Sequence, residues 1–428
     1  MKVFIILTMM AGSMQASPPD TLSLEYCYSR VEDHYPIANK IELQKQITNL
    51  NKKITNTASY PQLNFGASAT YRSEVTEFQV SSGAGRSVGP DLSKDQYEAA
   101  LDITQTIYNR GAIGIKKGLE QVRGEQQQES IKVQLQKIRE QVNSVYFGIL
   151  LAKKQLDIIS TVSENLKAQI KSVRSKVENG AVLPTQQYIL EAERIKITQD
   201  STEIDANIRS AYTVLGQLIG EELTSDIPLM IPERNTITQN REASIQFRPE
   251  FDVFESNRQA LEYQKELAQT KKIPSLSAFG TAAYGRPGFN FFENDLHGYY
   301  LVGLKLQWNF WGALNAGTRQ EVYNLSQKSI KEEEKAFERQ LKADLSKIKE
   351  EIASLESRIR KDDEIITLRE KVVEVVSSQL ENGTATATEY ITELNKATQA
   401  RLSMMMHRIK LAQAKVEYET ALGIRAYN

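Results

Sequence analysis

Segments that alternate between apolar and polar residues predict two β-hairpins with one apolar and one polar face each. The first hairpin is predicted at 62–108, after Pro61, and the second at 274–311, starting at Pro274. Loops rich in Gly, Pro or Ser separate the two strands of each hairpin. The predicted apolar positions are Leu63, Phe65, Ala67, Ala69, Tyr71, Tyr97, Ala99, Leu101, Ile103, Ile107, Leu276, Ala278, Gly280, Ala282, Tyr284, Tyr300, Val302, Leu304, Leu306, Trp308 and Phe310.

Apolar residues spaced alternately four and three positions apart predict long helices that pack as coiled coils. The clearest seam runs from Leu341 to Leu380, within residues 318–382, which contain no Gly or Pro. Its polar members Asp362 and Arg369 either pair with a neighbouring helix or lie where the seam turns to water, and the second interpretation is preferred. Asn-Gly pairs after both seams predict helix C-termini, because glycine accepts positive φ.

Shorter helices complete the pattern. Helical stretches are predicted at 22–57 and 249–272, ahead of the hairpins. Return helices are predicted at 185–215, ending at Gly216, and at 388–422, ending at Gly423.

The whole order of patterns occurs twice in the chain. An offset of 203 residues relates Ile103 to Leu306 and Glu178 to Glu381, whereas Pro61 and Pro274 differ by 213 because the first surface loop is longer. A repeat of this length indicates a duplicated half-structure. The predicted organisation is a signal peptide (1–16), a first repeat (17–220, helical hairpin 111–216), a linker (221–248) and a second repeat (249–428, helical hairpin 313–423).

The N-terminus resembles a secretory signal. Lys2 precedes an apolar stretch, and cleavage after Ser13 or Ala16 fits the small residues there. No later segment has 18 consecutive apolar residues, so we predict no transmembrane helix.

Composition and motifs argue against several classes of protein. The formal net charge of −1 argues against a nucleic-acid partner, which would require a basic surplus. Cys27 is the single cysteine, so neither an internal disulfide nor a thiolate metal site is expected. The three histidines lie in different predicted elements, and no P-loop or nucleophile elbow is present. We therefore predict no enzyme activity, no cofactor and no metal.

Strands with one apolar face have two interpretations in a secreted chain. They form either a soluble sheet packed on a core or part of an outer-membrane barrel whose apolar face meets lipid. Tyr and Trp near the strand ends favour the barrel. Four strands cannot close a barrel, for which about eight is the minimum, so two or three chains would have to share it.

The motifs in their doubled order resemble the outer-membrane efflux protein (TolC-like) family over essentially all of the mature chain. The resemblance lies in Leu22–Cys27 with Tyr35-Pro36, Arg248-Pro249-Glu250, Tyr60–Leu63, Ile273–Leu276, Gln105–Gly111 and Gln307–Gly312. It implies an α+β fold in which a homotrimer forms a twelve-stranded barrel in the outer membrane, with four strands per chain. The barrel would continue into a periplasmic coiled-coil barrel of helices. The implied function is an export duct of a tripartite efflux or type I secretion system.

The same resemblance implies partners and a site. The partners would be a periplasmic adaptor and an inner-membrane pump, besides outer-membrane lipid. The helix-hairpin tips would contact the adaptor and close the periplasmic end. The predicted adaptor contacts are Asn179, Gly180, Ala181, Val182, Leu183, Asn382, Gly383, Thr384, Ala385 and Thr386.

The gate is predicted from the second tip. Glu389 matches an acidic position of the family, whereas Thr392 and Gln186 stand where acids would be expected. Three copies of Glu389 would form a ring of carboxylates that favours cations. The alternative is an ordinary first-turn glutamate that favours the helix dipole. A different class of function would be a soluble periplasmic coiled-coil structural or adaptor protein without a barrel.

Overall fold

The computed structural model describes residues 20–75, 92–232, 247–288, 290 and 293–423. The predicted signal peptide and most of the first surface loop lie outside this range. The helices are α1 (Leu24–His34), α2 (Pro36–Thr57), α3 (Ala112–Glu178), α4 (Pro184–Ile219), α5 (Pro249–Thr270), α6 (Phe310–Leu314), α7 (Ala316–Glu381) and α8 (Ala387–Ala421). The strands are β1 (Gln62–Tyr71), β2 (Asp95–Tyr108), β3 (Ser275–Arg286) and β4 (His297–Gln307). None of the helices in the described ranges is long and apolar enough to cross a membrane.

The first helical stretch is two helices, not one. Ser23 caps α1 by accepting a hydrogen bond from the Tyr26 amide, and α1 ends where Tyr35 turns extended with ψ 131°. Pro36 then begins α2. The break follows from Pro36, because a proline disfavours helical geometry in the preceding residue and suits the first position of a helix.

The four strands form one antiparallel sheet in the order β1-β2-β3-β4. The two predicted hairpins are joined through β2 and β3, with Ile103 opposite Gly280. The β2–β3 register shifts between Thr106 and Tyr108, so Tyr108 lies opposite Leu276. Tyr108 therefore takes the position that strict alternation had assigned to Ile107, because an irregularity in the ladder changes which residue is paired.

The second hairpin is shorter than predicted. β4 ends at Gln307, so Trp308 and Phe310 are not strand residues. The Asn309 side chain accepts a hydrogen bond from the Gly312 amide and begins α6. This local cap favours a helical turn where alternation alone predicted further strand.

The coiled-coil seams are present in both long helices. α3 has 67 residues and α7 has 66, and every predicted seam position in them is buried or half-buried. Fully or nearly buried members include Val142, Ile149, Leu166 and Val173 of α3 and Leu345, Ile352, Leu355 and Leu380 of α7. Burial of these side chains fixes which face of each helix is turned inward.

The chain divides into two compact units that both draw on both repeats. Among the described residues, one unit falls within 1–40, 131–249 and 337–428, and the other within 41–130 and 250–336. The second unit holds the sheet and a small apolar cluster in which Leu119 and Val122 of α3 pack with Ala260 and Tyr263 of α5.

In the first unit, the buried Tyr146 of α3 holds the segment that follows α4. The Tyr146 hydroxyl lies 2.8 Å from the Leu22 carbonyl oxygen and 2.7 Å from that of Met230, and Leu22 also forms a β-bridge with Leu229. Burial raises the pKa of Tyr146 well above its usual value, so this phenol remains a neutral donor. Residues 221–232 are thereby held against α1 and α3.

The return helix α4 ends four residues later than predicted. It continues through Gly216 to Ile219, and Gly220 adopts φ 75° as the cap. Gly216 has a different role, because a Cβ there would lie 2.4 Å from the Glu221 carbonyl oxygen. Close backbone approach, and not helix termination, requires glycine at this position.

Both polar seam positions pair with a neighbouring helix. The preferred water-facing interpretation was wrong for the buried Asp362, whereas the Arg369 side chain pairs and is also 41% exposed. Asp362 is buried, and its carboxylate lies 2.7 Å from Nδ1 of His407 in α8. Arg369 donates to Glu393 of α8 at 3.3 Å. A buried carboxylate requires a partner, and the sequence of α7 alone could not show which residue faces it.

We expect His407→Leu to destabilise the protein by about 1–3 kcal/mol, because it leaves Asp362 buried without a donor. The measurement is the thermal unfolding midpoint of the purified protein. The double variant D362L/H407L removes both polar groups and should recover most of the loss. Equal midpoints for His407→Leu and the unaltered protein would contradict this role.

Candidate functional site: the hairpin tips and the two faces of the sheet

The two helix-hairpin tips have the same backbone structure. Gly180 adopts φ 70° and Gly383 φ 73°. Ala181 N–H donates to the Lys176 carbonyl at 2.8 Å, and Thr384 N–H donates to that of Gln379 at 2.9 Å. Both turns are Schellman-type helix ends, in which a left-handed glycine lets the next amide reach back over the last turn. The turns lie where the Asn-Gly pairs predicted them.

Side chains tie one tip to the other within the chain. The Ala387 amide, in the first turn of α8, donates to Oε1 of Gln186 at 2.5 Å. Lys176 donates to the carbonyl of Glu381, the last residue of α7. Gln186 thus supplies an acceptor for an unpaired amide at a helix N-terminus. Lys176 supplies a cation to a helix C-terminus, where the helix dipole favours positive charge.

Glu389 closes a capping box at the start of α8. Its amide donates to Oγ1 of Thr386 at 3.2 Å, and its carboxylate accepts from the Thr386 amide at 2.8 Å and from the Thr386 hydroxyl at 3.0 Å. The hydrogen bond from the Thr386 amide, followed by that from the hydroxyl, lowers the pKa of Glu389 below its usual value. Within one chain, Glu389 therefore has the role of a first-turn capping residue and remains ionised.

The third gate candidate, Thr392, donates a hydrogen bond within its own helix. Thr392 Oγ1 bonds to the Thr388 carbonyl at 2.8 Å. The next residue, Glu393, was not singled out from the sequence. It binds Lys396 at 2.6 Å and Arg369 at 3.3 Å, and Lys396 foremost lowers its pKa. The basic Arg369 within the seam was the signal that could have indicated an acidic partner here.

The predicted adaptor-contact residues are largely open to solvent. Asn179, Gly180, Ala181, Asn382, Gly383, Thr384 and Thr386 are exposed, and Val182 and Ala385 are half-buried. Leu183 is 69% exposed, although it is a large apolar residue. The tips therefore present backbone and small side chains to solvent, with one prominent leucine.

The strand register places most apolar residues of all four strands on one face of the sheet, with Phe279 and Leu301 on the other. Residues directly opposite in an antiparallel ladder project to the same side, and Phe65 lies opposite Leu101, Leu101 opposite Ala282, and Ala282 opposite Tyr300. The opposite face carries mainly polar groups. There, Thr281 donates to Asp102 at 2.5 Å and Tyr299 donates to Glu98 at 3.0 Å.

Both faces and both edges of this sheet are uncovered within the described chain. Phe65, Tyr71, Tyr300, Val302 and Leu304 are all more than two-thirds exposed. The outer edges of β1 and β4 pair with no other described strand. An apolar face of this size marks a surface that meets lipid or a partner, and open strand edges seek further strands.

No cluster suited to a metal ion occurs among the His, Cys, Asp and Glu residues that the structure describes. Cys27 is fully buried, and this burial raises the pKa of its thiol to about 12. Such a thiol is unreactive at neutral pH.

Comparison with known proteins gives matches in structure but not in sequence. No family model matches the chain, and no curated protein matches it. The outer membrane protein VceC from Vibrio cholerae matches at 12% identity and a TM-score of 0.70, over 94% of this chain and 96% of that one. The Campylobacter jejuni CmeC outer membrane channel matches at 12% identity and a TM-score of 0.72, over 95% of this chain and 87% of that one. The open state of the Neisseria gonorrhoeae MtrE outer membrane channel matches at 14% identity and a TM-score of 0.70, over 95% of this chain and 90% of that one.

At these identities the likeness is one of fold, and it extends over nearly the whole chain. The chain has the same fold as these outer-membrane channels. More narrowly, this is the TolC-like fold, which confirms, for one chain, the fold that the doubled motifs predicted.

We expect Thr386→Val to raise the pKa of Glu389 towards its ordinary value and to loosen the second tip, because one of two donors to the carboxylate is lost. Amide hydrogen exchange at the start of α8 should accelerate about fivefold, the effect of losing one N-terminal cap. In the unaltered protein, the ionised Glu389 carboxylate stabilises the tip fully at pH values above the ordinary glutamate pKa. This stabilisation is lost as the pH falls through the lowered pKa that Glu389 has in the folded protein.

Thr386→Ser is the matched control for this experiment, since it keeps the hydroxyl donor. If the Val and Ser variants exchange at the same rate at every pH, the hydroxyl has no part in holding Glu389.

Proposed function

We propose that the protein is the outer-membrane export duct of a tripartite efflux or type I secretion system. Three copies would form a twelve-stranded barrel in the outer membrane, continued by a helical tunnel in the periplasm. The duct would carry substrates onward from an inner-membrane pump, to which a periplasmic adaptor connects it. It would be passive, without catalysis or cofactor.

The observation that carries this proposal is the segregation of the sheet into an apolar and a polar face, shared by all four strands. Lipid on one side and a water-filled lumen on the other require this segregation. The alternative of a soluble periplasmic coiled-coil protein is not favoured, because it would leave the apolar face in water.

The open edges support a shared barrel. In hydrocarbon, each unpaired backbone group costs several kcal/mol, so a lipid-facing sheet must close on itself. Two copies would close eight strands around a lumen filled by side chains, whereas three would close twelve and leave an opening. The names of the matched structures, which are outer membrane proteins and channels, agree with such a pore.

The tips support contact with a periplasmic partner. Their exposed turns, with Leu183 projecting, lie at the ends of the long helices and provide backbone and small side chains for docking. Residues 1–16 would direct export from the cytoplasm, as a secretory signal does.

We expect the mature protein to fractionate with the outer membrane and to require detergent for extraction. On the apolar face, Leu304→Arg should cost about 2–4 kcal/mol near the membrane midplane and sharply reduce the folded outer-membrane protein. Leu301→Arg, on the same strand but the polar face, is the matched control and should be tolerated. Recovery of the protein in the soluble periplasm without detergent would overturn the duct.

We also expect Glu389→Ala to weaken block of the pore by divalent cations in planar bilayers, if three Glu389 carboxylates line the closed tip. Within one chain, the hydrogen bonds from Thr386 lower the pKa of this carboxylate and so favour its ionised form. Glu364→Ala, an exposed glutamate on α7, is the control and should leave block unchanged. Conductance and block identical to the unaltered protein would exclude Glu389 from the gate.

A further inference from the structure

The places where helices meet strands carry an excess of positive charge. Each consists of a connector with about one turn of the adjoining helix, and the four stretches are 54–61, 109–115, 267–274 and 308–319. They contain no Asp or Glu, and their basic residues are Arg110, Lys271, Lys272 and Arg319. One residue further from the sheet, Lys53 and Lys116 add two positive charges, against the one carboxylate of Glu266. These six basic residues are called the basic collar below.

Hydrogen bonds between neighbouring crossings place the collar at one level. Arg110, just before α3, donates to the Gln269 carbonyl near the end of α5 at 3.1 Å. Lys272, just after α5, donates to Oε1 of Gln320 in the first turns of α7 at 3.2 Å. Arg319 precedes Gln320 in α7, and all of these residues belong to the same compact unit. The charges of three neighbouring crossings therefore lie side by side.

The collar is exposed and is not neutralised by the described chain. All six residues are exposed, and none forms an ion pair with an Asp or Glu whose position is described. At the other end of the sheet, by contrast, Arg286 pairs with Asp95. The described residues flanking the strands there hold balanced charges, namely Glu74, Asp95, Glu293 and Asp295 with Arg72, Lys94 and Arg286. The positive excess is thus confined to the end of the sheet that joins the helices.

Apolar, aromatic and basic residues follow one another in a fixed order at this end. From β4 to α7, Leu306 is 69% exposed at the end of the strand, Trp311 of α6 is 76% exposed, and the exposed Arg319 follows. Read in reverse, the same order leads from α2 to β1 in Lys53, Tyr60 and Leu63. A membrane surface has this order of depth, because acyl chains give way first to an interface that favours Trp and Tyr and then to charged headgroups.

We propose that the basic collar binds the phosphates of anionic phospholipids, such as phosphatidylglycerol, in the periplasmic leaflet of the outer membrane. This inference rests on the proposed function, in which the apolar face of the sheet meets lipid and the helices extend into the periplasm. Lys and Arg have long apolar stems that lie along an apolar surface while the charge reaches a phosphate. Anionic headgroups supply the negative charge that the described chain does not.

The collar and the aromatic residues beside it fix the depth of the sheet in the bilayer. A shift of the chain towards the membrane centre would carry charges such as Arg319 into hydrocarbon, which is costly. A shift the other way would move Trp311 and Leu306 out of the interface and into water. Headgroup binding at one end of the sheet therefore opposes movement in both directions.

A lipid titration of the full-length protein tests the collar. Delipidated protein in a neutral detergent is mixed with phosphatidylglycerol or with zwitterionic phosphatidylethanolamine, and bound lipid is counted by native mass spectrometry. The unaltered protein should bind phosphatidylglycerol at least tenfold more tightly, and this preference should shrink as the salt concentration rises. Each basic residue near anionic lipid contributes roughly a fivefold factor, so K271Q/K272Q/R319Q should weaken phosphatidylglycerol binding on the order of 100-fold. Binding of phosphatidylethanolamine should not change.

The matched control is K331Q/R339Q/K347Q, which removes three exposed positive charges farther along α7. The nearest of them lies 12 positions after Arg319. That separation is about 18 Å along a helix and exceeds the roughly 8 Å over which charges act at physiological salt. The control should keep the full preference for phosphatidylglycerol.

Further variants separate charge from folding. The charge-preserving K271R/K272R/R319K should bind phosphatidylglycerol as the unaltered protein does. If the neutralised triple variant does not fold, the single variants K271Q, K272Q and R319Q should each lose a part of the affinity.

The collar and the duct can fail separately. Equal affinity for the two lipids, or the same loss in the control as in the collar variant, would overturn the collar while a protein found in the outer membrane leaves the duct standing. Full displacement of the lipid by glycerol 3-phosphate would show a site for free phosphate, and the assignment to a membrane lipid would be wrong. Recovery of the protein in the soluble periplasm with no lipid bound would refute both proposals.

Discussion

The unpaired backbone groups along the outer edges of β1 and β4 are the constraint on which the proposed function depends. One face of the sheet is mainly apolar, and hydrocarbon would offer these edges no hydrogen-bond partner. Within one chain the order β1-β2-β3-β4 leaves both edges open. Closure of the sheet would therefore need strands from outside the described chain.

The two long helical hairpins have nearly the same length. Both repeats keep the same number of residues from the second strand to the Asn-Gly turn, so both hairpins end after equal lengths of helix. Buried polar pairs such as Asp362–His407 specify how the helices pair, and Gln186 and Lys176 connect one tip to the other. The proposed duct would need both properties, since hairpins of unequal length could not close it at one level.

Local patterns predicted most of the elements. The hairpin at 62–108, the long helices and the tip turns follow from alternation, heptad spacing and Asn-Gly caps, and the structure has them within a few residues. The errors arose where a local rule competed with another interaction. Gly216 was taken for a helix end, although it allows close approach to Glu221, and Phe310 for a strand residue, although the Asn309 cap begins a helix there. At the second tip, Thr386 and Glu389 cap each other, and this mutual capping was not foreseen.

The sequence by itself determined the periodicities: which residues alternate, which repeat every heptad, and that the whole pattern occurs twice. These are properties of one segment at a time and depend only on backbone geometry. The tertiary structure decided which segments meet. It placed the apolar faces of four strands on one side, joined the two hairpins through β2 and β3, and gave Asp362 its histidine. Such pairings depend on contacts between residues far apart in the chain, and a pattern within one element cannot specify its partner.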